Sequence, residues 1–207
     1  MDTAKLKWNI IFANAGLDIS YDTWLERYLP YIESTKEPAL DLGCGLGNAT
    51  SFLLQHGIQT ISCDFSSTAI AYIRKKFPKT RALIHDMRRR LPFETGSIGV
   101  VVADLSIHYF YWNKTLEIMD EVARILAGNG LFLFRVNSMN DANYGAGEGE
   151  ELERHYYSCG GSKKRFFDAK DIDMLVSEKW RKIRVAEDQM DRYGKEKHIW
   201  EVALKKS

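Results

Sequence analysis

At 207 residues the chain is long enough for one α/β domain with a sizeable core and short for two. Apolar residues make up 45%, so a packed core is expected rather than disorder. Lys plus Arg number 29 against 28 for Asp plus Glu, and a balance of +1 argues against a general nucleic-acid or anionic-membrane binder. The three cysteines have neither metal-ligand nor disulfide spacing, which suits a reducing, cytoplasmic setting. The N-terminus shows no signal-peptide apolar region, and no apolar run approaches the ~20 residues a membrane helix needs.

In chain order, residues 4–15 and 21–33 read as two short helices, from the helical recurrence of Trp8, Ile11, Phe12 and Ala15, then of Trp24, Leu25, Tyr28 and Ile32. Either a plain helical layer over a sheet edge or a cap over a ligand, with Tyr21 and Trp24 facing it, fits this spacing. From Pro38 strand and helix alternate, which implies a parallel sheet covered on both faces. A first strand ending near Leu42 runs into Gly43, Gly45 and Gly47, and a helix follows over 48–56. That layout is a nucleotide-binding βα unit, but with Gly-x-Gly-x-Gly spacing rather than the Gly-x-Gly-x-x-Gly of a dinucleotide fold. Asp41 precedes the turn, where a carboxylate repels a pyrophosphate and attracts a cationic ligand such as one bearing an ammonium and a sulfonium. Asp64 ends the second strand, placed to accept the hydroxyls of a ribose. Ser66 can cap the next helix, which Pro78 stops.

A third strand over 81–85 leads to Asp86 and Met87, and the Arg88–Arg90 run reads as solvated. A fourth strand over 98–103 ends in Asp104, Leu105, Ser106, Ile107, His108 and Tyr109, on the carboxyl side where α/β sheets bind ligands. His108 there reads either as a general base or as a packed, hydrogen-bonded residue. After a helix over 114–126, a Gly128–Gly130 turn should open a fifth strand over 131–136. Arg135 in that strand needs an acid partner or a ligand. Residues 137–168 break the pattern and read as a Gly-rich insert or lid with a short helix over 150–155. Asp168 caps a helix over 169–178, and segments 182–186 and 198–204 form a closing antiparallel hairpin.

Asp41 to Gly47 resembles motif I of the class I S-adenosylmethionine (SAM) dependent methyltransferases, and Asp64 resembles their ribose-binding acid. Asn137, Ser138, Asn140, Asp141, the Tyr144–Gly147 stretch and Lys164–Phe167 further resemble the tellurite-resistance branch of that family. The resemblance implies a Rossmann-like seven-stranded, mostly parallel sheet in the order 3-2-1-4-5-7-6. In it the seventh strand is antiparallel, helices cover both faces, and an N-terminal helical cap (1–35) and a lid or substrate insert (137–168) complete a single domain over 1–207. It implies SAM as cofactor, bound by Asp41, Gly43, Cys44, Gly45, Asn48, Asp64, Phe65, Ser66, Asp86, Met87, Asp104 and Leu105. Asp86 and Met87 would hold the adenine.

Asp104, His108 and Tyr109 would face the chemistry. Tyr21, Arg135, Asn137, Tyr144 and His155 would line the acceptor pocket. The chain lacks the Asn/Asp-Pro-Pro-Tyr/Phe segment of DNA and protein-glutamine methylation. The expected activity is therefore methyl transfer to a small-molecule acceptor, an oxyanion or a soft nucleophile, by a monomer or homodimer without nucleic-acid or membrane partners. No His, Cys, Asp or Glu cluster has metal-ligand spacing, and this chemistry needs no metal. A non-catalytic SAM-binding module and a nicotinamide-dependent oxidoreductase are the competing readings. The second is disfavoured by Asp41 and the glycine spacing.

Overall fold

The computed structural model describes residues 3–14, 22–176, 178–192 and 194–207. The central sheet is built from β1 (Ala39–Leu42), β2 (Thr60–Asp64), β3 (Arg81–Ile84), β4 (Ile98–Asp104) and β5 (Leu126–Asn137). Two further strands, β9 (Trp180–Met190) and β10 (Lys197–Lys206), close it. The order is β3-β2-β1-β4-β5-β10-β9, with β10 antiparallel to both neighbours. This is the expected sheet, with a closing hairpin far longer than the alternating segments suggested.

Both faces of the sheet are buried, so β4 and β5 read as unbroken apolar runs instead of alternating ones. Val101, Ala103, Phe132 and Phe134 pack on one side against α5 (Trp112–Ile125) and α6 (Ala169–Leu175). Val100, Val102, Leu131 and Leu133 pack on the other against α3 (Asn48–Gln55) and the segment around Trp24, Leu25 and Ile32. Beneath the Gly turn, α4 (Ser67–Lys76) packs Ile70 and Ile73 on Cys44 and Ala82.

Three expectations are corrected. Residues 22–33 are not one helix: a 3₁₀ turn at Glu26–Tyr28 precedes a short α2 (Leu29–Glu33) that Pro30 opens. Strand β5 starts directly at the end of α5, with Gly128 to Gly130 inside it, not in a separating turn. Residues 150–165 are not a helix and a loop. They form a small antiparallel sheet, β6 (Glu150–Glu153), β7 (Tyr156–Cys159) and β8 (Ser162–Arg165). Its β7–β8 turn is Gly160-Gly161, both left-handed at φ +56° and +72°, as two-residue hairpin turns require. The N-terminal helix α1 (Thr3–Asn14) buries none of its residues fully and lies across the carboxyl ends of the strands.

Candidate active site

The tips of β1, β2 and β4 converge on the Gly turn. Asp41 is buried and accepts from Thr50 through the backbone N–H at 2.8 Å and the hydroxyl at 2.7 Å, so it fixes the first turn of α3. Burial pushes its carboxyl up to about 7, against the pull of those two donors. Asp64 accepts from Gly45 N–H at 3.0 Å and Ser66 N–H at 2.8 Å, which joins the Gly turn to the start of α4. Burial raises its pKa as well.

Gly43 sits at φ +78°, and a Cβ there would fall 2.4 Å from Cβ of Ser106. Ser106 is swung over it by the left-handed Leu105 (φ +53°), and its hydroxyl donates to Leu42 O at 2.7 Å. The absent side chain therefore makes room for the protein's own chain at Gly43. At Gly45 the nearest atoms, 3.3 Å from a built Cβ, belong to Phe12 of α1. Asn9 of α1 accepts from the Ser66 hydroxyl at 2.6 Å, and Trp8 meets the Tyr109 ring edge-on at 5.4 Å. Lys7 reaches the Ser162 hydroxyl on β8. One helix thus spans from the Gly turn to the small sheet.

The remaining expected cofactor residues lie at or just after the ends of β1 to β4. Cys44 is buried beside Gly45, Phe65 lies in the β2–α4 turn, and Met87 places its Cε 3.1 Å from the position a Gly43 Cβ would take. Asp86 is gripped by Arg88 at 2.6 Å. Partial burial raises its pKa, but the Arg88 hydrogen bonds win and hold it below the ordinary value. Asn48 donates to Asp22 at 3.2 Å and to Asp104 at 3.3 Å, while its Oδ1 is buried without a partner among the described residues.

Asp104 and Arg135, paired in register on neighbouring strands, anchor a buried ion cluster. Arg135 donates to Asp104 through Nε at 2.7 Å and Nη2 at 2.9 Å, meets Asp22 at 2.9 Å, and stacks over Trp24 at 4.5 Å. Arg192, from the turn between β9 and β10, contacts Asp22 and Asp104 at 2.7 Å each. Burial would raise the Asp104 carboxyl, but the two guanidiniums hold it well below the carboxylate range. Sequence reasoning missed Asp22 and Arg192, because nothing local links positions this far apart.

The residues expected to line the acceptor pocket have these partners. Arg135 contacts two acids and the Trp24 face. Asn137 is buried and donates to Arg165 O at 3.3 Å, tying β5 to β8. His155 pairs its Nδ1 with Asp171 at 2.6 Å. Tyr144 lies under the Lys197 ammonium at 4.5 Å and donates to Lys195 O at 3.2 Å. Tyr21 falls outside the described residues. The insert is not wholly loose, since Asp141 is fully buried and pairs with Lys197. His155, Asp168 and Asp171 bring ligand atoms within 4.8 Å of one another, a trio the spacing did not suggest, but Arg154 pairs with both carboxylates at 2.6 and 3.2 Å.

His108 and Tyr109 fall where expected, on the 3₁₀ turn Ile107–Tyr109 after β4, their rings 4.3 Å apart. His108 is buried, and its Nδ1 has no partner among the described residues. Burial first, then the ammonium groups of Lys197 and Lys164, hold its pKa well below the ordinary value, so the imidazole is neutral.

A Gly turn between two buried acids, under a sheet with one antiparallel strand beside its edge, is the framework of the class I SAM-dependent methyltransferases. Residues 40–134, a little under half of the chain, match the methyltransferase domain family. The residues present fit SAM, whose cationic groups suit the acids and the unpartnered Asn48 Oδ1 at this cleft. A tRNA N(3)-methylcytidine methyltransferase of Drosophila melanogaster is 28% identical over 151 residues, 67% of this chain and 46% of that protein. The chain thus spans about half the length of that relative. Among solved structures, TehB from Haemophilus influenzae superposes with TM-score 0.67 at 14% identity, covering 91% of this chain and 64% of that one. The 1,6-didemethyltoxoflavin-N1-methyltransferase of Burkholderia thailandensis, solved with S-adenosylhomocysteine (SAH), superposes with TM-score 0.65 at 15% identity, covering 100% and 79%. Among the described residues no helix is long and apolar enough to cross a membrane.

Proposed function

We propose that the protein is a single-domain cytoplasmic enzyme, a monomer or homodimer, that transfers a methyl group from SAM to a small-molecule acceptor. The observation that carries this reading is the roof over the strand tips. Helix α1 covers the Gly turn with Phe12 and Asn9 and reaches Tyr109 and β8 with Trp8 and Lys7, while the Tyr156 hydroxyl ties β7 to Tyr109 O at 2.9 Å. These aromatic and hairpin contacts support a small acceptor, since a polyanion would need an open basic face. SAM supplies an activated methyl on a cationic sulfur. The chain's part is to bind it at Asp41, Asp64, Asn48 and the Gly turn and to orient the acceptor, and such positioning accounts for roughly 7–11 kcal/mol of a barrier.

The test begins with calorimetric titration of SAM and SAH. Asp64→Ala should weaken both about tenfold or more, the loss expected for charge-assisted hydrogen bonds of about 1.5–3 kcal/mol. Asp64→Asn, which keeps an acceptor oxygen, should lose less. SAH release is then followed with a panel of small acceptors and with bulk tRNA. Turnover on tRNA alone would refute the small-molecule reading, and unchanged affinity in both folded variants would refute the cofactor site.

A further inference from the structure

We propose that the acceptor is a small organic acid bearing its own nucleophilic hydroxyl, with its anionic group on Lys164 and its hydroxyl proton taken by His108. This rests on the methyltransferase reading above. Three features of the turn and the small sheet point to it.

First, His108 is 2% exposed, yet its Nδ1 has no partner among the described residues. Buried side-chain nitrogens are nearly always hydrogen-bonded, so an orphan beside the reacting end of β4 calls for a ligand. Second, several cations of this region are matched with acids, and Lys164 is not. Lys197 pairs with Asp141, Arg165 with Glu153, and Arg135 and Arg192 with Asp22 and Asp104. Lys164, half-buried on β8, forms no ion pair among the described residues, and Lys7 of α1 adds a like charge beside it. Asp141 faces both Lys164 and Lys197, with the like charge of Lys7 beside them, so an anion completes the local balance.

Third, the charges that face His108 make its basicity conditional. Burial and the ammonium groups of Lys197 on β10 and Lys164 on β8 keep the imidazole unprotonated, while Asp104 at the end of β4 acts the other way. Tyr109 from the same turn sets its ring 4.3 Å from the imidazole. An acid seated on Lys164 cancels one of the two opposing charges and brings the imidazole back toward its ordinary pKa. A neutral acceptor leaves the base switched off. In the step itself, the acceptor's O–H bond breaks and its proton passes to His108 Nδ1. The oxygen lone pair forms the new C–O bond as the carbon–sulfur bond of the donor breaks, and that electron pair stays on a neutral thioether.

The experiment is a histidine NMR titration of the full chain saturated with SAH, with His108 assigned by His108→Gln. The probes are acetate, benzoate and salicylate against acetamide, benzamide and salicylamide. At least one acid should raise the His108 pKa while its amide does not. Lys164→Met should weaken that acid about tenfold or more and abolish its effect on His108, with SAH affinity and melting temperature held. His108→Gln should cut turnover of a hydroxy-acid substrate on the order of 10²–10⁴-fold and remove the acidic limb of its pH profile. If no acid shifts His108, or amides bind as well as acids, or Lys164→Met leaves acid binding intact, the inference is wrong while the methyltransferase reading stands. Failure of the parent chain to bind SAM or SAH would instead overturn both.

Discussion

Replacing Arg135 by Met should destabilise the fold without removing a substrate contact, and the cost can be worked from the ion cluster. Arg135 is 3% exposed and supplies two hydrogen bonds to Asp104, one ion pair to Asp22 and the cation over Trp24. Removing one partner of a buried pair costs about 3–5 kcal/mol, mostly through the charge left behind. Arg192 stays within 2.7 Å of both acids, and the Asn48 amide still reaches Asp104 at 3.3 Å, so the loss falls just below that range, at about 2–3 kcal/mol. For a chain of this length that is a drop in melting temperature of about 5–10 °C. Arg135→Met combined with Arg192→Met should lose more than the two single losses added, because each guanidinium covers for the other. Asp104→Asn should recover part of the loss in the Arg135→Met background.

The pH dependence has a definite sign. The native pKa of Asp104 is depressed, so its contribution is present above the unfolded value of about 3.9 and is lost as pH falls through the native value. The gap between parent and Arg135→Met should therefore be widest near neutrality and narrow below about pH 4. Melts from pH 3 to 8 by calorimetry decide it: a variant within about 1 °C of the parent at pH 7, or a gap that ignores pH, refutes the reasoning.

Asp41 gives the opposite sign. Its native carboxyl is pushed up to about 7, so the parent loses stability as pH rises from about 4 to 7, and Asp41→Asn should gain on the parent across that window in the same melts. A constant difference from pH 4 to 8 would exclude a buried, late-ionising Asp41. Asn9→Ala removes the acceptor for the Ser66 hydroxyl at 2.6 Å; a hydrogen bond of about 1 kcal/mol should speed SAH dissociation about fivefold in stopped flow, and an unchanged off-rate would separate α1 from the cofactor. In hydrogen exchange, residues 141–144, pinned by the buried Asp141 and by Asn143 on Glu196 O at 2.9 Å, should be protected where the exposed 147–149 are not. Uniformly fast exchange over 141–149 would show the Asp141 anchor to be ineffective.

What the sequence reveals here is set by how local each signal is. The Gly turn, its flanking acids and the order of strands and helices are written in runs of a few residues, and all were legible. The demand that Arg135 find a partner was legible too, since a cation cannot sit bare in an apolar strand. Its partner was not, because Asp104 comes opposite only through the parallel register of β4 and β5, and Asp22 and Arg192 arrive from the two ends of the chain. The small sheet was misread for a different reason. Glu150 to Glu153 is rich in Glu and Leu, good helix formers, and propensity outweighed the Gly160-Gly161 hairpin signal ten residues on. That error hid more than an element. Read as a loop, Lys163 to Arg165 is a solvated run. Read as a strand, Lys163 and Arg165 share one face, Lys163 exposed over Tyr111 and Arg165 buried against Trp112 and Tyr156, while Lys164 takes the opposite face. Lys164 then stays half-buried with no acid of its own among the described residues, and the charge that decides what can bind beside His108 comes into view only with the strand.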